Sequence, residues 1–347
     1  MKPHFDSGPL ADRWIHHLEE ALDGRRRIRL IDLPYHLNIG DSLIALGQIR
    51  LLESMRHLKI VQITGRAPVS ELASTVKSDE AILIHGGGNF GTIWPESHQY
   101  RVDVVEACRA CRIVQLSQSV HFSDASAARD SCRELAAHPD FHVFARDHAS
   151  FDTLRNSGLE RLSLVPDGAF GLPALQPRMA ARSDVLMMNR RDPESRYSSF
   201  LEAIGRSLRS RWSVEFADWA NYQDLPADLS RRVAKHERWL LRAERFLPFA
   251  KGKALGWSRL TTSRYILGQE MLARGRVCLT DRLHVHVLCT LMGVPHIVLD
   301  NSYGKIRSFA DCWGTASHAS WPEPTESDVL EAADALLDGR STSPLGT

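Results

Sequence analysis

No stretch of the chain reaches the roughly 18 consecutive apolar residues that a bilayer-crossing helix needs. The first residues, MKPHFDSGPLADRW, lack the apolar core of a signal peptide, so a soluble, cytoplasmic protein is expected. Neither sign of charge is in excess: 43 Lys and Arg stand against 42 Asp and Glu, a formal net charge of +1. So balanced a chain has no global field to gather nucleic acid or an anionic membrane, and any basic feature must be local. Cysteine is also scarce. Six in 347 residues make no disulfide framework. Cys108 and Cys111 form a CxxC, but no second pair or matching histidine spacing accompanies it, and it closes a helical pattern. Ordinary reduced thiols are expected there.

What is present is ordinary for a globular enzyme. The composition is 43% hydrophobic and 24% charged, which excludes disordered and collagen-like classes. The length allows two domains, each able to bury a core. Short apolar runs alternate with amphipathic stretches. Strands are predicted at Arg27–Asp32, Lys59–Thr64, Ala81–His85, Arg112–Leu116, Val143–Ala145 and Ser163–Val165. Helical patterns lie between them at Asp41–Met55, Val69–Lys77, Glu96–Ala110, Ser126–Ala137 and His148–Asn156. After a polar stretch, Leu175–Asp184, a second series follows. Its strands are predicted at Val185–Asn189, Ser213–Phe216, Arg276–Thr280 and His296–Leu299. Its helices are predicted at Ser199–Ser210, Thr261–Ala273, Arg282–Leu291 and Thr325–Leu337. This is an α/β pattern of two Rossmann-like domains, residues 1–175 and 176–347, facing across a cleft. The last helix is a candidate to cross back onto the first domain.

Ligands of such folds bind at the C-terminal ends of the strands, and the chemistry-bearing residues cluster there. Asn38-Ile39-Gly40-Asp41 follows the first strand. Gly40 permits a turn with positive φ, and Asp41 can cap the next helix. The same residues suit a plain capped turn or a helix start that receives an anion or a sugar hydroxyl. His85–Gly91 reads HGGGNFG, without the ending of a P-loop or the spacing of GxGxxG. Gly87, Gly88 and Asn89 serve either packing or close approach to a ligand. Gln118-Ser119-Val120-His121 places a histidine at a strand end, where it is either structural or a proton-transfer group. Arg146 of Ala145-Arg146-Asp147 either pairs with its neighbour or offers a fork to a carboxylate or phosphate. Asp167, in Val165–Ala169, can cap, bind a hydroxyl or hold an arginine.

Thr280-Asp281-Arg282-Leu283-His284-Val285-His286 is the most informative segment. Thr280 and Asp281 are candidate caps, which leaves Arg282 and His284 in the first helical turn, where an anion is favoured. An HxH pair does not share a helical face, so His286 is assigned to packing and no metal is expected. Asn301 and Lys305 follow the next strand, where Lys305 can reach a phosphate. Arg190 ends the first strand of the second domain and is a candidate for the acceptor side.

Together NIGD, HGGGNFG, QSVH, the Arg of FARD, VPDGAF and TDRLH resemble the polysaccharide pyruvyl transferase family, in the family's order from about Asp32 to Lys305. The resemblance implies a GT-B-like fold. It implies phosphoenolpyruvate as donor and co-substrate, and as acceptor a sugar of a cell-surface exopolysaccharide or its lipid-linked precursor. The product would be a pyruvate ketal on two hydroxyls of one sugar, with phosphate released. Matched by position, Arg146 and Arg282 are implied as donor-binding residues and His284 as the acid/base, with His121 a further acid/base candidate. No other cofactor is required where arginines and helix ends carry the charge. Two rival readings share the pattern: a nucleotide-sugar glycosyltransferase of the same build, and a non-catalytic carbohydrate-binding or assembly protein.

One local feature lies outside this resemblance. Arg238–Arg264 carries Arg238, Arg242, Arg245, Lys251, Lys253, Arg259 and Arg264 against Glu244, with Trp239, Phe246, Phe249 and Trp257 interleaved. It reads either as a solvated helix and loop with its aromatics turned inward or as a peripheral membrane contact.

Overall fold

The computed structural model describes residues 5–173, 180–190, 198–219, 227–246, 250–300 and 304–338. Among them, β1 (Arg27–Ile31), β2 (Lys59–Ile63), β3 (Glu80–Ile84), β4 (Gly87–Gly91), β5 (Arg112–His121), β6 (Phe141–Ala145) and β7 (Leu162–Leu164) form one parallel sheet. The strand order is β2-β1-β3-β5-β6-β7, with β4 paired to β5. The centre of this sheet is buried on both faces, which is why β3 ends in the unbroken apolar run AILI. In β1, RIRLI, the run is interrupted by Arg29, which is buried with its Nε donating to Glu80. Helices α1 (Gly8–Leu22), α2 (Ile39–Ser54), α3 (Val69–Thr75), α4 (Pro95–Ala107), α5 (Ala125–Ala136) and α6 (His148–Asn156) cover it.

The second sheet is parallel too, ordered β11-β10-β8-β9, from β8 (Ser183–Met188), β9 (Val214–Ala217), β10 (Gly275–Thr280) and β11 (His296–Val298). Its helices are α7 (Ser198–Leu208), α8 (Ala227–Phe246), α9 (Ala250–Leu272), α10 (Leu283–Met292), α11 (Lys305–Cys312) and α12 (Glu326–Leu337). In each sheet the chain reverses its direction of travel once, between β1 and β3 in the first and between β8 and β10 in the second. The crevice outside such a reversal is where open α/β sheets hold ligands.

One core serves both halves. Helix α2 is buried nearly all round, packed between the first sheet, the 3-10 turn Gly168–Gly171, α9 and α10. Its sequence IGDSLIALGQIRLLES is accordingly apolar on every face. A continuous cluster runs from Ile28, Leu30 and Leu46 through Phe170 to Met188, Leu288 and Phe309.

The structure departs from the sequence reading in several places. β5 runs on through Gln118-Ser119-Val120-His121, so that segment is strand rather than a loop after one. Ser117, Gln118 and Ser119 are buried polar residues, and polar side chains in a buried strand erase the apolar signal. The glycine-rich HGGGNFG is not a turn: Gly87–Gly91 is β4, paired along the extension of β5. Helix α11 was not anticipated, α8 begins at Ala227, well before the basic segment read as helix and loop, and α9 begins well before Thr261. The last helix, α12, does not cross back; it packs with α7 on β10 and β11. Helix α11 makes the crossing instead. Phe309 stacks on Phe170 with ring centroids 5.8 Å apart, and Trp313 Nε1 donates to the Arg146 carbonyl at 2.7 Å. The expected boundary at 175/176 lies outside the described residues. Cys108 and Cys111 are buried free thiols, and burial pushes Cys111 up to about 12, as befits inert packing residues.

Candidate active site

The two strand reversals face each other across a cleft of about 760 Å³. Its walls come from Asp32–Asp41 after β1, His85–Asn89 after β3, Arg146 after β6, Arg190 after β8, Arg282–His284 after β10, and Lys305 at the start of α11. Residues expected from the sequence at Asn38, Asp41, Gly87, Gly88, Asn89, Arg146, Arg190, Arg282, His284 and Lys305 all line it. Asp167 lies fully buried behind that lining. Asn301 falls outside the described residues. His121 does not join the group. It lies at the end of the extended β5 and borders a second hollow of about 530 Å³ with Ser119, Asp124, Arg129 and Asp147, which shares Lys305 with the cleft lining.

The cationic wall is built on buried supports. Arg146 is 1% exposed. Its Nη1 donates to Asp167 Oδ2 at 2.6 Å and its Nε to Ser119 Oγ at 2.9 Å. Asp147 is not its ion partner. That carboxylate accepts from Ser119 Oγ and caps α6 through the Ser150 N–H. Burial opposes ionisation of Asp167, yet Arg146 and His284 hold its carboxyl below the usual carboxylate range. Gly88 explains itself here: a Cβ on it would stand 3.1 Å from Lys305 Nζ and 3.2 Å from Arg146 Nη2. Two cations from opposite halves therefore converge over one bare stretch of backbone. Beside it, Asn89 lines the cleft, and its Oδ1 accepts from Arg101 Nη2 at 2.9 Å and from Gln118 Nε2 at 3.0 Å.

Arg282 sits at the N-cap of α10, one position earlier than expected, and His284 is in the first turn. Neither candidate cap closes the helix: Thr280 Oγ1 accepts from the N–H of Arg282, the N-cap residue itself, at 3.0 Å, and no side chain caps α10. Asp281 does not cap; it accepts from the Arg190 N–H across the sheet end. Arg282 Nη2 donates to both oxygens of Asp218, at 2.8 and 3.0 Å. Its Nε is buried with no hydrogen-bond partner among the described residues.

His284 reaches across to the first half. Its Nε2 stands 3.5 Å from both Asp167 Oδ2 and Arg146 Nη1. Its other edge rests on Gly40, whose Cβ, if present, would lie 3.0 Å from His284 Nδ1. Gly40 is thus not a positive-φ turn residue but a helical one, and its missing side chain is the seat of His284. Asp41 is not the cap of α2. Asn38 caps it through the Gly40 N–H at 3.1 Å, and Asp41 accepts from Asn38 Nδ2. His286 is fully buried, bonded to His296 and Thr315 at 2.8 Å each, in keeping with a packing role.

Several cleft residues escaped the sequence reading. His85 is 4% exposed, and burial holds its ring down at about 4, hence neutral. Its Nδ1 bonds Gln48 Oε1 at 2.8 Å, so the proton sits on Nδ1 and the unpartnered Nε2 is an acceptor at the cleft wall. Asp32 holds a left-handed backbone, φ 64°, and accepts from Arg66 Nε at 3.1 Å. Burial raises its pKa, against the pull of Arg101 and Arg66. Tyr35 and Trp94, each 39% exposed, mark the mouth. For Asp32, Tyr35 and Trp94 the available signal is their position just beyond β1 and β4, and for His85 its place at the head of HGGGNFG, where the sequence reading weighs only the glycines and Asn89.

The comparisons with known proteins agree with this architecture. The family profile described as Polysaccharide pyruvyl transferase matches residues 38–303. Pyruvyl transferase 1 of Schizosaccharomyces pombe is 29% identical over 303 residues, covering 84% of this chain and 70% of that protein. Among solved structures, the uncharacterised protein KP1_0663 of Klebsiella pneumoniae superposes with a TM-score of 0.57 at 17% identity, covering 90% of this chain and 98% of that one. A UDP-N-acetylglucosamine 2-epimerase superposes with a TM-score of 0.50 at 10% identity, over 90% and 87% of the two chains, a likeness of fold alone. The double parallel-sheet build is GT-B-like. With its matching segment running from the Asn38 cap through Arg146, Arg282 and His284, this chain belongs to the polysaccharide pyruvyl transferase family.

Proposed function

We propose that the protein transfers the pyruvyl group of phosphoenolpyruvate to two hydroxyls of one sugar, forming a pyruvate ketal and releasing phosphate. The observation that carries this reading is the convergence of Arg146, Arg282 and Lys305 with His284 at facing strand reversals. The donor bears a carboxylate and a phosphate, and guanidinium forks match both groups. The cleft is larger than this three-carbon donor needs and leaves room for a sugar ring beside it.

In this scheme Arg282 and Arg146 hold the donor anions, with Lys305 and the N-terminus of α10 on the departing phosphate. His284 gives a proton to the vinyl methylene carbon, which leaves cationic character at C2. A sugar hydroxyl attacks C2 and passes its proton back to His284. The C2–O bond to phosphate then breaks, the phosphate leaves, and the second hydroxyl closes the ring with loss of its proton. His85, neutral and too weakly basic to abstract a proton, orients the incoming hydroxyl through Nε2. Asp32, Arg66, Tyr35 and Trp94 form the acceptor side, where aromatic faces meet the apolar faces of sugars. The scheme invokes no metal.

The test is phosphate release from phosphoenolpyruvate with a sugar acceptor present, with the ketal read by NMR. Arg282→Ala and His284→Ala, if folded, should each lose at least about a hundredfold in rate, the scale of a lost acid/base or charge clamp. Wild-type-like turnover in both would sink the assignment. A stabilising response to nucleotide sugars but not to phosphoenolpyruvate would favour a glycosyltransferase instead.

A further inference from the structure

Tyr35 and Trp94, two of the four exposed large apolar side chains among the described residues, mark the cleft mouth. The other two are Leu241, 56% exposed on α8, and Leu255, 47% exposed on α9. Helices α8 and α9 pack against each other as a hairpin. Leu241 precedes the end of α8 by as many residues as Leu255 follows the start of α9. Gly256 lies against Trp239 and Leu240, which fixes that register, so the two leucines stand at one level.

The charges around them are sorted by side. Arg231, Lys235, Arg238 and Arg242 recur at helical spacing along the outer face of α8, all exposed, and Arg259 adds to them from α9. Asp228 is exposed at the start of α8, whereas the two acidic residues interleaved with these cations point inward and are occupied. Glu237 accepts from Arg264 Nη2 at 2.7 Å, and Glu244 accepts from Trp257 Nε1 at 3.0 Å and Thr64 Oγ1 at 3.1 Å. Trp257 is buried, and Arg264 is not part of the surface at all. No anionic partner meets the five outer cations among the described residues. A chain of net charge +1 thus carries one face that is basic with two bare leucines set into it.

We infer that this outer face of the α8–α9 hairpin docks on an anionic bilayer. The leucines enter the headgroup boundary while the cations meet lipid phosphates, the division of labour of an interfacial amphipathic helix. A nucleic acid or another polyanion would engage the cations and have no use for the leucines. Docking also orients the enzyme. Arg264, on α9, donates to the Pro34 and Tyr35 carbonyls, and the Trp257 ring lies 4.9 Å from that of Tyr35. The hairpin therefore holds the rim of the cleft mouth. On the function proposed above, a docked hairpin presents that mouth to a sugar carried on a lipid.

The experiment is flotation of the full chain with phosphatidylcholine vesicles, with and without phosphatidylglycerol. Two variants accompany it, Leu241→Ser with Leu255→Ser, and Arg231→Glu with Arg238→Glu, each checked by thermal melting and by turnover of a soluble acceptor. We expect binding only to the phosphatidylglycerol vesicles, weakened by high salt and cut about tenfold or more in either variant. Soluble turnover should be unchanged, so failure of docking and failure of the catalytic reading are seen separately. Absence of wild-type binding would overturn the inference. So would full binding by the serine variant, which marks a surface for polyanions rather than for lipid.

Discussion

His284 is seated on Gly40: a Cβ on Gly40 would lie 3.0 Å from both Cβ and Nδ1 of the imidazole. The contact joins the start of α2 in one half to the start of α10 in the other, and it places the proposed proton carrier by leaving out a side chain. Gly40→Ala separates stability from positioning. Gly40 is helical, so alanine gains about 1 kcal/mol of propensity, against an overpacking cost of about 1–3 kcal/mol. Little change in melting temperature is expected, with kcat down about tenfold or more. Unchanged kcat in this variant would count against His284 as the acid/base.

Arg146→Met tests the buried support of the cationic wall. It leaves Asp167, fully buried, without its closest cation. A loss of about 3–5 kcal/mol is expected in chemical denaturation. Adding Asp167→Asn should recover part of that stability while activity stays absent. If the double variant is no more stable than the single one, the ion pair is not what Arg146 supplies.

Asp218 holds Arg282 from behind, both carboxylate oxygens on one Nη2. Asp218→Asn removes the charge but keeps one acceptor. The donor KM should rise about tenfold while kcat falls less, since the guanidinium is loosened and not lost. A drop in kcat alone would mean Arg282 acts on the chemical step.

Acid should unfold the protein earlier than its ion pairs require. His85 is buried neutral, held down at about 4, and the buried His286 is lowered well below its ordinary range. A histidine whose folded pKa lies below its unfolded value stabilises fully above about 6.5 and loses that contribution as pH falls toward the folded value. For His85 alone the loss by pH 5 is about 2 kcal/mol. Urea midpoints measured from pH 7 to pH 5 should fall, and His85→Gln should flatten the dependence. An unaltered slope in that variant would place the proton uptake elsewhere.

Much of the fold is legible in the chain because buried parallel strands write themselves as apolar runs, as in AILI of β3 and VCL of β10. The cleft wall formed by Arg146, Arg282 and His284 was legible for a related reason, since these residues follow closely on such runs. What stayed hidden is polar and buried. Ser117-Gln118-Ser119 disguised the second half of β5, and with it β4 and the true place of His121. His85 acquires its character from Gln48, thirty-seven residues earlier, a pairing that only the tertiary structure creates. In α8 the inward and outward sorting of the charges is invisible until α9 is laid against it.

The crossing of α11 bears on how the enzyme admits its substrates. Phe309 is stacked on Phe170, and the Trp313 indole is bonded to the backbone of Arg146 itself. Swinging the halves apart would tear a buried clasp made of the chain's own C-terminal region and would drag the arginine with it. The clasp favours a cleft of fixed depth, and on the function proposed above a sugar is selected by whether it fits between Tyr35 and His284. Small-angle scattering profiles recorded with and without phosphoenolpyruvate should accordingly superimpose.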